Sequence, residues 1–168
     1  MAPLFVYNGP AFSELKPLYN QWTWQELRWG WDWKILSEAD IRSFALEHLD
    51  ENGPLFELIL DLVTEKEDSE QIKQKVEALC QAEAPETEDE IQFVWRNVTL
   101  LWITSLELDD KKLENEIQLL FATFHEPYDM SCLIRWMPAT PGVVSPKPWN
   151  IRVQLETYMK KCSFFNHK

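Results

Sequence analysis

The chain has 168 residues, 45% of them hydrophobic and 13% aromatic, enough apolar area to exclude a disordered segment and to form one domain spanning residues 1–168. Its net charge of −12 repels nucleic acid and anionic lipid, because phosphate binding depends on Lys and Arg displacing counterions. Only 4 glycines are present, so phosphate-cradling loops and turn-rich β architectures are both poorly supplied.

The N-terminal "MAPLFVYNGP" has neither a basic nor an apolar leader region, and no apolar run reaches the roughly 18 residues of a membrane span. A cytoplasmic protein without membrane association is therefore expected. Prolines concentrated in Met1–Pro17 and Pro138–Pro148 suggest extended connectors there.

From Thr23 onward the hydrophobic period is helical. Thr23-Trp24-Gln25-Glu26 reads as a capping box, and Gly30 is the natural left-handed residue to stop the helix it opens. Ser37–Asp40 starts a second helix with Ile41, Phe44, Ala45 and Leu49 on one face, ending at Asn52-Gly53. Pro54 suits a first helical position, and Leu55, Leu58, Ile59, Leu62 and Val63 make the next stripe. After the polar "TEKEDSE" run comes a helix carrying Ile72, Val76, Leu79 and Cys80.

A second capping box, Thr87–Glu90, opens the longest helix. It places Ile91, Val94, Trp95, Val98, Leu101 and Trp102 on one face. Asp109 and Asp110 begin a helix with Leu113, Ile117, Leu120, Phe121 and Phe124 in register. A short helix over Tyr128–Trp136 and a last one with Ile151, Leu155, Tyr158, Met159 and Cys162 complete the chain. The fold class is all-α, with seven or eight mostly antiparallel helices.

Catalytic patterns are scarce. No GxSxG elbow, P-loop, GxGxxG or HExxH is present, so neither a cofactor nor a metal site is expected. Cys80, Cys132 and Cys162 are too far apart for a zinc motif and read as buried free thiols. A nucleophilic pair of Cys132 with His125 has no support beyond sequence proximity. Acids that complement a helix start explain Asp109 and Asp110 more simply than a metal site with Glu114 does. Arg135, beside "WMP", is expected to pair with a helix C-terminus or a buried acid.

Two stretches remain as candidates for binding. "QWTWQELRWGWDWK" holds five tryptophans, Trp22, Trp24, Trp29, Trp31 and Trp33, which cannot all face one way. Some must serve as core anchors, with Trp31 and Trp33 alternating across Asp32 as in an extended turn. One or two are left half exposed, where Trp is enriched at interface hot spots. "EAPETEDE" carries Glu83, Glu86, Glu88, Asp89 and Glu90 with no basic residue, and reads either as a solvated loop or as half of an electrostatic docking site. Residues 50–126 hold 20 acidic against 6 basic residues, a balance of −14, against +2 for the remainder.

The segment "LENEIQLLFATFHEPYDMSCLIRWMP", Leu113–Pro138, resembles a bacterial family termed domain of unknown function 2247. Leu120–Phe124 stands where that family tends to read "I-Y-A-D-F", and Leu133–Pro138 where it reads "F-V-R-Y-M-P". "TWQELRWGW" and "VWRNVTLLWI" are similar to its early tryptophan-glycine region and its central helix. Thr123 stands in place of the family's acid, and "HEPYD" departs from its Tyr-Pro step.

The resemblance implies a small acidic helical protein of the immunity type, a non-enzymatic inhibitor that neutralises a cognate toxin domain by binding it. The expected partner is a basic protein, met through Glu83, Glu86, Glu88, Asp89, Glu90, Asp109 and Asp110, with Trp29, Trp31 and Trp33 supplying anchors. An adaptor or chaperone for a secretion or regulatory complex is the first alternative. A small hydrolase working through a carboxylate pair is the second.

Overall fold

The structure is a computed structural model that describes residues 9–64, 69–137 and 149–166. The described residues form helices and no strand, so the chain is all-α. They fall into two compact units, residues 1–93 and 94–168.

The first unit opens with a helical turn, α1 (Phe12–Leu15), that runs into a 3-10 turn (Lys16–Leu18). These replace the extended connector expected up to Pro17, because Phe12 and Leu15 are buried and Pro17 occupies an early 3-10 position where no donor is needed. Residues 1–8 of that stretch, like the connector expected at 138–148, lie outside the described residues. Helices α2 (Trp24–Asp32), α3 (Glu38–Glu47), α4 (Phe56–Thr64) and α5 (Ser69–Gln81) follow. α3 packs on α4, α4 on α5, and α2 on α5. Arg42 of α3 donates to the Leu62 carbonyl (2.7 Å), one of the carbonyls that the end of α4 leaves without a helical partner.

Both helix starts read from local signals form as expected. Thr23 Oγ1 accepts from the Glu26 amide while Glu26 Oε2 accepts from the Thr23 amide, and Ser37 and Asp40 repeat the exchange. The stop at Gly30 does not form, and α2 continues to Asp32 with Gly30 buried inside it. A Schellman motif closes it two residues later: the Ile35 amide donates to the Gly30 carbonyl (2.8 Å), and the Lys34 amide to the Trp31 carbonyl (2.9 Å). The left-handed residue is thus Lys34 (φ 58°), and Trp31 is helical rather than part of an extended turn.

α6 (Glu88–Ser105) begins in the first unit with the Thr87/Glu90 box in place and continues into the second. Its buried apolar positions are Ile91, Trp95 and Val98 as expected, together with Leu100 and Ile103. Val94, Leu101 and Trp102, expected on the same face, are only half buried.

In the second unit, α7 (Asp110–Thr123) buries the predicted Leu113, Ile117, Leu120 and Phe121, and Phe124 beyond it is also buried. Residues Tyr128–Leu133 form a 3-10 helix shorter than the expected one, with Met130 and Leu133 buried. α8 (Ile151–Lys161) packs on both, and a 3-10 turn (Ser163–Asn166) follows. Tyr158 Oη donates to Oδ1 of the fully buried Asn97 (2.9 Å), with Asp129 Oδ2 3.4 Å away. Arg96 donates to both Asp129 oxygens (3.0 and 2.9 Å). Burial, with the Asp129 charge beside it, holds the Tyr158 hydroxyl far above the ordinary phenol range.

A groove lined by tryptophan and carboxylates

The first four amides of a helix have no partner in the helix itself. In α2, Thr23 and Glu26 satisfy each other's amides, and the two between them are satisfied from elsewhere in the chain. Glu83, in the loop after α5, accepts from the Trp24 amide (2.9 Å) and the Gln25 amide (3.2 Å), and Glu86 accepts from the Thr23 hydroxyl (2.6 Å). Gln25 locks the loop in return, donating to the Ala84 carbonyl (2.6 Å) and accepting from the Glu86 amide (2.9 Å). The acidic loop is therefore part of the fold at Glu83 and Glu86, both half buried, and solvated at Glu88, Asp89 and Glu90. Nothing local in the sequence announces these bonds, since the partners lie some sixty positions apart.

Three carboxyls converge on this helix start. Glu26 has no exposed surface, and burial pushes its carboxyl up to about 8, helped by the charges of Glu86 and Glu83 and opposed by the bonds to Thr23. Burial also raises Glu83, against the lowering effect of its two backbone amides. Tyr19, partly buried against Glu26 and Glu86, is pushed up to about 12.

Beside them lies a groove of about 780 Å³ between α2, α5 and the start of α6. α2 contributes Arg28, Trp29, Asp32 and Trp33; α5 contributes Glu77 and Cys80; the loop and α6 contribute Glu83, Glu86 and Glu88. Trp29 and Trp33, four residues apart on the helix, set their rings 5.3 Å apart at 34°. Arg28 is ion-paired with Glu77, and its Nε lies 3.8 Å from Asp32. Lys73 reaches Asp32 at 3.9 Å.

Half of the binding residues expected from sequence, Trp29, Trp33, Glu83, Glu86 and Glu88, thus meet in one concavity. The others do not line it. Trp31 is half buried on another side of α2. Asp89 and Glu90 are exposed in the first turn of α6, where the Thr87 amide holds the Glu90 carboxyl below its usual range. Asp109 and Asp110 belong to the second unit. Asp109 caps α7 by accepting from the Lys112 amide (2.9 Å), and Asp110 pairs with Arg152 (2.7 Å). Trp22 and Trp24 are the inward anchors, so three tryptophans of the five stay half exposed rather than one or two.

Other candidates have structural roles. Among the described residues no cluster of three or more His, Cys, Asp or Glu could hold a metal ion, and no helix is long and apolar enough to cross a membrane. The three cysteines are free, with Cys80 buried and Cys132 and Cys162 only half so. Burial drives Cys80 up to about 12 and raises Cys132, the opposite of what a reactive thiolate needs. Arg135 is exposed and sits 5.9 Å from the Trp149 ring centre, a cation–π contact in place of the acid or helix end expected for it.

A family model described as "Uncharacterized protein conserved in bacteria", domain of unknown function 2247 (DUF2247), matches residues 14–162. No curated protein and no solved structure gives a significant match.

Proposed function

The chain belongs to this uncharacterised bacterial family, and from that premise we propose that it is a non-enzymatic capture protein of the immunity type, neutralising a basic toxin domain in the cytoplasm by direct binding. One observation carries the reading: a concave surface that gathers half-exposed tryptophans and carboxylates from three separate segments. Such a surface offers the two things an inhibitor requires. Acidic charge draws in a basic partner, and aromatic surface retains it once seated.

A raised carboxyl in a cleft is also what a carboxylate-using hydrolase would display, and Glu83 and Glu26 are both raised. Their geometry favours structure over chemistry. Both Glu83 oxygens already accept from α2 amides, and Glu26 has no surface from which to reach a substrate.

The test is capture followed by protection. The tagged chain should retain, in near-equal amount and in a salt-sensitive way, one basic domain whose toxicity disappears when the two are co-expressed. Retention of several machinery subunits without protection would support the adaptor alternative. Retention of nothing would overturn capture altogether.

A further inference from the structure

Resting on that capture reading, we propose that the groove recognises an arginine side chain of the basic partner, and that Arg28 occupies the guanidinium position while the partner is absent. The groove carries Asp32, Glu77, Glu83, Glu86 and Glu88 against one basic residue, Arg28, five negative positions to one positive. Arg28 is the internal precedent for the ligand. Its guanidinium is held by Glu77, with Asp32 3.8 Å from its Nε, in the groove that Trp29 and Trp33 also line, and its side chain is about one third exposed (36%).

The chemistry of the walls selects among cations. A planar, weakly hydrated guanidinium lies flat on an indole and forks to a carboxylate, whereas an ammonium is a compact, strongly hydrated point charge. Of the groove carboxylates, Glu83 and Glu86 are held by the start of α2, and Glu77 and Asp32 are engaged by Arg28 and Lys73. Glu88 is exposed, with one oxygen accepting from Gln92 (3.0 Å) and the other facing an incoming cation. The volume of about 780 Å³ falls within the range of roughly 300–1,000 Å³ typical of ligand clefts, with room for a side chain and the backbone on either side of it.

Three capped tripeptides test this, with Arg, Lys or the uncharged citrulline between two glycines, each titrated into the full-length chain. The indole N–H signals of Trp29 and Trp33 are followed by NMR. The Arg peptide should move both signals and bind roughly three- to fivefold tighter than the Lys peptide, with citrulline weaker than either. Arg28→Gln should tighten the Arg peptide roughly three- to tenfold by vacating the position and removing a like charge. Trp33→Ala should weaken it, with helicity confirming that both variants fold.

Equal binding of Lys and Arg, binding of citrulline as tight as Arg, a shift confined to Trp31, or weaker binding by Arg28→Gln would each overturn the assignment. If a basic toxin domain is captured while the Arg peptide leaves Trp29 and Trp33 unmoved, the groove assignment falls and the capture reading stands. If the peptide binds but no partner is neutralised, the capture reading falls and the assignment stands.

Discussion

Glu26 combines two environments that pull its proton in opposite directions. As the third residue of α2 it exchanges hydrogen bonds with Thr23 at the positive end of a helix, which favours the carboxylate. With no exposed surface and with Glu83 and Glu86 nearby, it pays to ionise there, and burial prevails. A carboxyl that holds its proton up to about 8 when folded, but only to its ordinary value of 4.5 when unfolded, contributes stability that is fully present below 4.5. That contribution drains away as pH rises through about 8, at on the order of 1.4 kcal/mol per pH unit within the window. Glu26→Gln keeps an acceptor for the Thr23 amide and removes the titration. Its unfolding free energy, from urea melts between pH 5 and 8.5, should fall less steeply than that of the parent, and the variant should be the more stable of the two above pH 8. Parallel curves for the two proteins would refute the assignment of the titration to Glu26.

At the scale of elements, what is encoded within four or five residues could be read directly. The capping pairs Thr23/Glu26 and Thr87/Glu90, the Ile72–Val76–Leu79–Cys80 stripe of α5 and the Leu113–Ile117–Leu120–Phe121 stripe of α7 all depend on helical spacing alone. What depends on contacts distant in sequence could not. The bonds from Glu83 and Glu86 to the start of α2, the link from Tyr158 to Asn97, and the shift of the α6 core face to Leu100 and Ile103 have no local signature. Asn97 does not stand out in sequence, because α6 also carries Gln92, Arg96 and Thr99. The end of α2 departs from its local signal for a different reason. Glycine inside a helix costs only about 1 kcal/mol relative to Ala, less than the packing of the flanking residues returns. The motif moved to Lys34, where a side chain in the left-handed region costs roughly 1–2 kcal/mol. Lys34→Gly should relieve that cost, partly offset by the greater freedom of glycine in the unfolded chain, for a net gain of about 0.5–1 kcal/mol. Calorimetry should find Tm raised by roughly 1–4 °C, and a lowered Tm would mean that Lys34 makes a stabilising contact outweighing its strain.

For the molecule as a whole, attraction and retention are assigned to different residues, and kinetics can separate them. The net charge of −12 is concentrated in residues 50–126 and acts over distance, so under the proposed capture of a basic partner it would govern the encounter. The tryptophan wall acts only on contact, and in the same proposal it would govern how long the complex lasts. Glu88 and Asp89 are suited to probing the first effect, because both are exposed and neither caps α2, whereas Glu83 and Glu86 could not be changed without disturbing that helix. In Glu88→Lys/Asp89→Lys the rate of association with the neutralised partner should fall severalfold at low salt. The dependence of that rate on ionic strength should also flatten, because fewer charges remain to be screened over a Debye length of about 10 Å at 0.1 M. The dissociation rate should change less. Trp33→Ala should show the converse, a faster dissociation with an unchanged salt slope. Surface plasmon resonance across 50–500 mM salt would read both rates for both variants. If the charge variant left the association rate and its salt slope unaltered, the acids at the start of α6 would be ordinary solvated surface, and steering would have to come from other carboxylates of residues 50–126.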